Sequence, residues 1–357
     1  MEILIRRIAI TGATGMLGSA LARVAMKNGI DVLLIANPDS SRLDSLKRDL
    51  HIEEDTHVEG GGVSSDGSEG NERDNVSGNA RGQGLASICL CSMSDYGELA
   101  FNIKNGVEKG TAFKKPYDAF IHFAWRGTYG RSRDDEALQK DNIRNTNDAV
   151  CLAASLGCEC FIGVGSQAEC GPLLTPFAAD TPCNPITGYG KAKLEACAQS
   201  KKLAHDLGMR HIWARVGSAY GPGDNLRTCM MQAIAHAISG EAFPCTPGEQ
   251  LWDYIYCEDA ARAIFAMAQS GKDGSIYPVG SGNVKPLKDY ISLACSIANP
   301  CFSPDFGALE YPSGQAMFLC ADISQLKADT GFGPSVRFED GIASTIEWYC
   351  HGKNVSL

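Results

Sequence analysis

No run of apolar residues in this 357-residue chain approaches the ~20 that a membrane-spanning helix requires, so no helical membrane span is expected. There is no Lys/Arg-dense stretch either. The 32 basic residues are outnumbered by 42 acidic ones, the net charge is −10, and a nucleic-acid partner is therefore not expected. Histidines are few, seven in all, and none clusters with the 15 cysteines. The close pairs Cys89-x-Cys91 and Cys158-x-Cys160 have none of the common zinc spacings, so no metal site is expected. Most cysteines stand within apolar runs, as Cys257 and Cys295 do, and read as reduced thiols acting as small hydrophobes in a reducing cytosol. The N-terminus MEILIRRIAITGATG lacks the form of a secretory signal. Its apolar stretch is short, is broken by Arg6 and Arg7, and leads straight into a glycine loop, so a cytoplasmic location is expected.

What is present is an ordinary apolar fraction of 44%, enough for a full core, over a length that suits one large α/β domain or two intimately joined ones. Strand-like and helix-like segments alternate. Residues 3–10 read as a buried strand, 19–28 as a helix and 31–36 as a second strand centred on VLLI. Further strands are predicted at 85–91, 118–124, 160–164 and 211–216, and helices at 137–155 and 191–207. This order implies a Rossmann-type doubly wound parallel sheet, covered by helices on both faces. Residues 59–84 break the pattern: they hold no aromatic, Leu or Ile and are rich in Gly, Ser, Asn and Asp. Such a segment buries too little apolar surface to offset its ordering entropy and reads as a flexible surface insertion. Beyond residue 222 the pattern is mixed, with helices near 226–239, 258–270 and 286–298.

The first strand runs into Thr11-Gly12-Ala13-Thr14-Gly15-Met16-Leu17-Gly18 and then a helix. Glycines at every third position serve a tight turn, close approach of the backbone to a pyrophosphate, and close packing of helix on strand. The pyrophosphate then rests on free N–H groups at the helix N-terminus. Thr11, Gly12, Thr14, Gly15, Met16, Leu17 and Gly18 are thus the candidate dinucleotide contacts. The second strand ends Ile35-Ala36-Asn37-Pro38 and lacks the acid that would hold the adenosine ribose hydroxyls of NAD. Asn37, Ser40, Ser41 and Arg42 suit a 2′-phosphate instead, with Arg42 in a charge-assisted contact. NADP(H) is accordingly the expected cofactor, with NAD(H) as the alternative.

Tyr189-Gly-Lys-Ala-Lys193 begins a helix, where residues four apart share a face. A phenol near pKa 10 exchanges protons poorly at pH 7, and a neighbouring ammonium is expected to lower that pKa. The pair then serves as a general acid/base for a carbonyl or hydroxyl. Ser166 follows the strand FIGVG at the carboxyl end of the sheet, where its hydroxyl can bond the same substrate oxygen.

With the segments IHFAW, GSQAECG, GYGKAK, RVGSAYGPGD and DYIYCEDAARAI following the glycine loop in order, the sequence resembles an extended short-chain dehydrogenase/reductase of the NAD-dependent epimerase/dehydratase family of nucleotide-sugar enzymes. The resemblance covers most of the chain. It implies catalytic roles for Ser166, Tyr189 and Lys193, with Lys193 also on the nicotinamide ribose, and pyrophosphate contacts for Gly12, Gly15 and Gly18. It places Ala124 beside the cofactor and makes Asn142 a support of the active-site helix. It implies a Rossmann domain over 1–180 and a mainly substrate-binding domain over 181–357, from which strands near 211–216 and 275–279 return to the first sheet. It also implies a homodimer through paired helices at 137–155 and 191–207.

The expected substrate is a nucleotide-activated sugar, with Trp125, Gln167, Ser218, Arg227 and Trp252 as its contacts. Ser218 and Trp252 stand where family members often carry an Asn and an Arg on the sugar diphosphate. The leading expectation is reduction of a keto-sugar by NADPH. A 4-epimerase that keeps its NAD bound is the alternative. A 4,6-dehydratase fits less well, because Ser166 is followed by Gln167-Ala168-Glu169 and not by an Asp-Glu doublet. A reductase of non-sugar carbonyls and a non-catalytic dinucleotide sensor complete the set.

Overall fold

The computed structural model describes residues 3–52, 57–59, 82–108 and 110–353. Residues 60–81 of the expected insertion lie outside the described residues. In chain order the main strands are β1 (Arg7–Thr11), β2 (Asp31–Ala36), β3 (His57–Glu59), β4 (Ala86–Leu90), β5 (Ala119–His122), β6 (Cys160–Ser166) and β7 (Arg210–Val216). Four short strands follow, β8 (Ser218–Tyr220), β9 (Pro244–Cys245), β10 (Leu251–Trp252) and β11 (Tyr254–Tyr256), and then β12 (Ile276–Val279). Eight of these form one parallel sheet in the order β12-β7-β6-β5-β1-β2-β4-β3. The strands expected near 211–216 and 275–279 are β7 and β12, and both lie in this sheet. The order reverses between β1 and β5, so a crevice opens there beyond the strands' carboxyl ends, the place where open α/β sheets bind ligands.

Both faces are covered, which explains the continuous Ile, Val and Leu runs of β1 and β2. Ile8, Ile10, Val32 and Leu34 point into one core with Leu21 and Val24 of α1 (Met16–Lys27). Ala9, Leu33 and Ile35 point into the other, with Tyr96, Leu99, Val150 and Leu152. Those four belong to α3 (Tyr96–Lys104) and α4 (Glu136–Ser155), the helix between β2 and β3 being α2 (Leu43–Asp49). α5 (Gly188–Asp206) covers β6 and β7 beside α4. The second lobe is built from α6 (Cys229–Ser239) and later helices, around Tyr220, Met230, Met231, Ile234, Tyr290, Ile342 and Ile346. The intervening helix, α7 (Cys257–Ser270), packs on α1 of the large sheet. Among the described residues no helix is long and apolar enough to cross a membrane. Buried Cys89, Cys160, Cys257 and Cys295 pack in the cores as small hydrophobes.

Candidate active site

The glycine loop crosses the crevice at the end of β1. Gly12 has φ +68°, and a side chain there would bring a Cβ to 2.7 Å from the Ala124 backbone nitrogen after β5. A Cβ at Gly18 would run into the backbone of Gly12 and Ala13. The first helix therefore starts closer to the strand than any other residue allows. Its N-cap is Gly15, with no side-chain cap and no acidic residue in the first turn. Unfilled N–H groups and an uncompensated helix dipole thus face the crevice, a cradle that fits a dinucleotide pyrophosphate. Gly12, Gly15, Met16, Leu17 and Gly18 all line the cavity there.

Two expected contacts are otherwise engaged. Thr11 is fully buried and its hydroxyl lies 2.8 Å from Nδ1 of buried His122, so its side chain ties β1 to β5. Arg42 is half-buried and reaches across to the second lobe. Its guanidinium donates to the carbonyls of Gly223 (2.6 Å) and Asp224 (3.4 Å) in the second lobe. The charge-assisted contact expected for a 2′-phosphate is thereby already engaged within the chain. Thr14 accepts a hydrogen bond from Ser40 (3.0 Å), while Asn37 and Ser41 stand exposed beyond β2.

Ser166 ends β6, and Tyr189 and Lys193 stand one turn apart on α5. That helix starts at Gly188, three residues earlier than predicted, because Thr187 caps it by accepting from the Gly190 N–H (3.1 Å). Tyr189 therefore sits in the first turn. Lys193 is almost wholly buried; its ammonium donates to the Val164 carbonyl (2.7 Å) and lies 3.8 Å from the centre of the Trp125 ring. Burial pushes its pKa down to about 7, opposed by the negative charge of Glu169. Trp125 meets Tyr189 edge-on at 6.0 Å and donates to Gln139 (3.0 Å). Asn142 is fully buried and brackets the Arg126 main chain, accepting from its N–H (3.1 Å) and donating to its carbonyl (2.8 Å), so it fixes the segment carrying Trp125.

The expected lowering of the Tyr189 pKa does not occur. Burial raises it, a hydrogen bond with Ser166 and the charge of Arg133 pull it down, and Glu169 adds to the rise. Arg133, which the sequence reading missed, lies 4.8 Å from the centre of the Tyr189 ring.

These groups stand in a cavity of about 800 Å³ shared by the two lobes. Gln167, Ser218, Arg227, Trp252 and Trp125 all line it, as do Tyr129, Arg133 and Asp224, which were not anticipated. Trp252 donates its indole N–H to the Ser218 hydroxyl (2.8 Å), so the two residues standing for the family's diphosphate contacts are paired with each other. Arg227 is exposed on the cavity wall. Glu169 is turned away from the cavity into a fully buried ion pair with Arg215 (2.9 Å).

A family model described as the NAD dependent epimerase/dehydratase family matches residues 8–280. The chain belongs to that family. Among curated members it is 28% identical to a dTDP-glucose 4,6-dehydratase of Escherichia coli over 51% of this chain and 53% of the relative. It is 25% identical to one of Streptomyces griseus over 65% and 71%. The chain thus spans about half the length of the first of these relatives. Among solved structures, a UDP-glucose 4-epimerase from Thermotoga maritima, with UDP-glucose, superimposes with a TM-score of 0.76 at 19% identity, covering 97% of this chain and 99% of that one. A dTDP-glucose 4,6-dehydratase from Streptomyces venezuelae, with NAD bound, gives 0.74 at 17% identity over 98% of both. At these identities the two epimerase/dehydratase structures share the fold.

Proposed function

We propose that the chain is an NAD(H)-dependent oxidoreductase of a nucleotide-activated sugar, acting as a reductase of a keto-sugar with Tyr189 as general acid. The observation that carries this reading is the convergence of Ser166, Tyr189 and Lys193 on one cavity with the glycine cradle of α1. NAD(H) replaces the NADP(H) expected from sequence, because Arg42 is committed to the second lobe and the dehydratase neighbour holds NAD. The dinucleotide supplies hydride chemistry at its nicotinamide when bound. The chain does the rest. The Ser166 hydroxyl hydrogen-bonds the sugar oxygen, Tyr189 gives that oxygen its proton, and the Lys193 ammonium stabilises the phenolate left behind. A raised Tyr189 pKa leaves the phenol protonated at neutral pH, the state a proton donor needs.

A second reading, 4-epimerisation on a retained NAD, is favoured by one observation. The Gly223 backbone lies against Met16 of the glycine loop, and Arg42 clasps the same segment, so the cradle is roofed by the second lobe. Dehydration is disfavoured, since Gln167 and Ala168 follow Ser166 and Glu169 is turned inward.

The test offers UDP- and dTDP-linked hexoses and their 4-keto derivatives to the purified protein. NADH-dependent loss of a keto-sugar, abolished in Tyr189→Phe, is expected. Conversion of a hexose to its 4-epimer without added NADH selects the second reading, and inertness toward all of them overturns the proposal.

A further inference from the structure

Beneath the catalytic group lies a fully buried cluster that the chemistry above does not use. Glu169 has no exposed surface and stands three residues after Ser166. One carboxylate oxygen accepts from the Ser166 backbone N–H (2.7 Å) and from the Trp213 indole N–H (3.0 Å). The other accepts from Arg215 Nε (2.9 Å) and the same indole (3.2 Å). The Ser166 hydroxyl accepts from the Ala168 N–H (3.2 Å), closing a capping box around the turn. β6 is shaped for this arrangement. Gly163 and Gly165 lie under the Trp213 ring, and a Cβ at either would collide with it; at Gly165 it would also strike the Glu169 carboxylate.

We infer that Glu169 is a positioning residue: held by Trp213 and Arg215, it fixes Ser166 at the strand end and presents a buried negative charge to the Tyr189/Lys193 pair. Its value for catalysis rests on the proposed role of Tyr189. A buried ion pair adds little net stability over an apolar pair of the same shape, so folding alone is a weak reason for placing one here. A carboxylate accepting three donors is also a fixed one, and a fixed charge in a low-dielectric region acts strongly on its neighbours. The groups it faces are Arg215 and Trp213 of β7, Lys193, Tyr189 and Cys197 of α5, and Cys170 of the loop after β6. Arg133 also faces Tyr189, its guanidinium 4.8 Å from the ring centre. The negative charge of Glu169 favours protonation of both Lys193 and Tyr189.

The test uses the ligand-free full chain, so it is independent of the substrate proposal. Side-chain-labelled lysine is followed by NMR across pH, with the Lys193 signal assigned by its loss in Lys193→Met. In the wild type the signal is expected to titrate with a midpoint of about 7. Glu169→Gln keeps the size and removes the charge, although its amide NH2 then meets one of the donors that the carboxylate accepted from. Its expected result is a midpoint lower by about one unit. A folded Glu169→Gln protein with an unmoved midpoint overturns the inference, because a purely structural carboxylate leaves Lys193 unaffected. If Glu169→Gln does not fold, Trp213→Phe decides. It removes one donor from the carboxylate, keeps the charge, and is expected to move the midpoint upward. No movement there overturns the inference equally.

Discussion

Asp224 gives the sharpest quantitative expectation. It lines the cavity, is 7% exposed, and its carboxyl is pushed up from 3.8 to about 6. Burial is the largest cause. The Asn225 N–H (2.7 Å), the Thr228 hydroxyl (3.0 Å) and the Arg42 charge oppose it and lose. A rise of about two units corresponds to ~3 kcal/mol of destabilisation from the ionised form. For an acid with a raised folded pKa, the unfolded chain ionises first. Stability therefore falls as pH rises from about 4 to about 6, and the cost is constant above that. Asp224→Asn removes the charge. Its amide can still accept from Asn225 N–H but turns a donor toward Thr228, which returns ~1 kcal/mol of the gain. The net expectation is ~2 kcal/mol at pH 7.5. With ~2.1 cal/mol/K per residue, a chain of 357 residues has an unfolding entropy of ~0.75 kcal/mol/K, so Tm rises by ~3 °C. Thermal scans of both proteins at one scan rate, at about pH 7.5 and about pH 4, test this. Equal Tm values at the higher pH, or an advantage that persists undiminished at the lower, refute the reasoning.

Three further outcomes are expected. Arg42→Ala weakens NADH and NADPH alike and speeds release of both, because it opens the clasp on Gly223 and Asp224; a selective loss of NADPH affinity of ~10-fold or more in fluorescence titrations restores Arg42 as a 2′-phosphate ligand. Gly12→Ala forces a side chain into a positive-φ position against the Ala124 backbone and lowers dinucleotide affinity by at least ~10-fold, whereas unchanged binding argues against the cradle. For keto-sugar reduction, kcat/KM falls as pH rises through about 7, where Lys193 loses its proton, and Lys193→Met shows a lower, flat profile; a flat wild-type profile from about pH 6 to about pH 8.5 contradicts the assigned role.

The fold was legible where burial is two-sided and local signals agree. The Ile/Val/Leu runs of β1 and β2 and the glycine loop between β1 and α1 carry strand, turn and helix signals in register. The long helix predicted at 137–155 is α4, whose Asp135 cap accepts from Leu138 N–H and starts it at Glu136. α6 starts at Cys229, not near 226, because residues 225–228 form a turn closed by the Thr228 N–H on the Asn225 carbonyl (2.9 Å), and Thr228 caps the helix. What sequence spacing could not show were side-chain partners across the chain. Arg42 reaches a loop some 180 residues away, and Thr11 turns to His122. Arg133 comes over Tyr189 from a short 3-10 helix (Gly130–Asp134) 56 residues upstream, with no local pattern to announce it. Glu169 was visible as an acid after Ser166, but only its contacts with Trp213 and Arg215 show that it points into the core.

The misjudged proton affinity of Tyr189 follows from the same limit and bears on the chemistry. A Tyr-x-x-x-Lys spacing suggests an ammonium beside a phenol, and so a lowered phenol pKa. In the folded chain the ammonium instead donates to the Val164 carbonyl and rests on the Trp125 ring, while burial acts on both members. Burial disfavours whichever form is charged, so it raises Tyr189 and lowers Lys193. The resting site therefore holds a phenolic proton ready to give and a lysine near its own midpoint at neutral pH. In the proposed reduction that proton is consumed, and a charged Lys193 then stabilises the phenolate that remains. Oxidation, the first half of an epimerase cycle, needs Tyr189 to begin as a base, and the same burial opposes that state. The proposed reductase cycle starts from the protonated phenol that burial favours, whereas an epimerase cycle needs a further positive charge brought close to Tyr189.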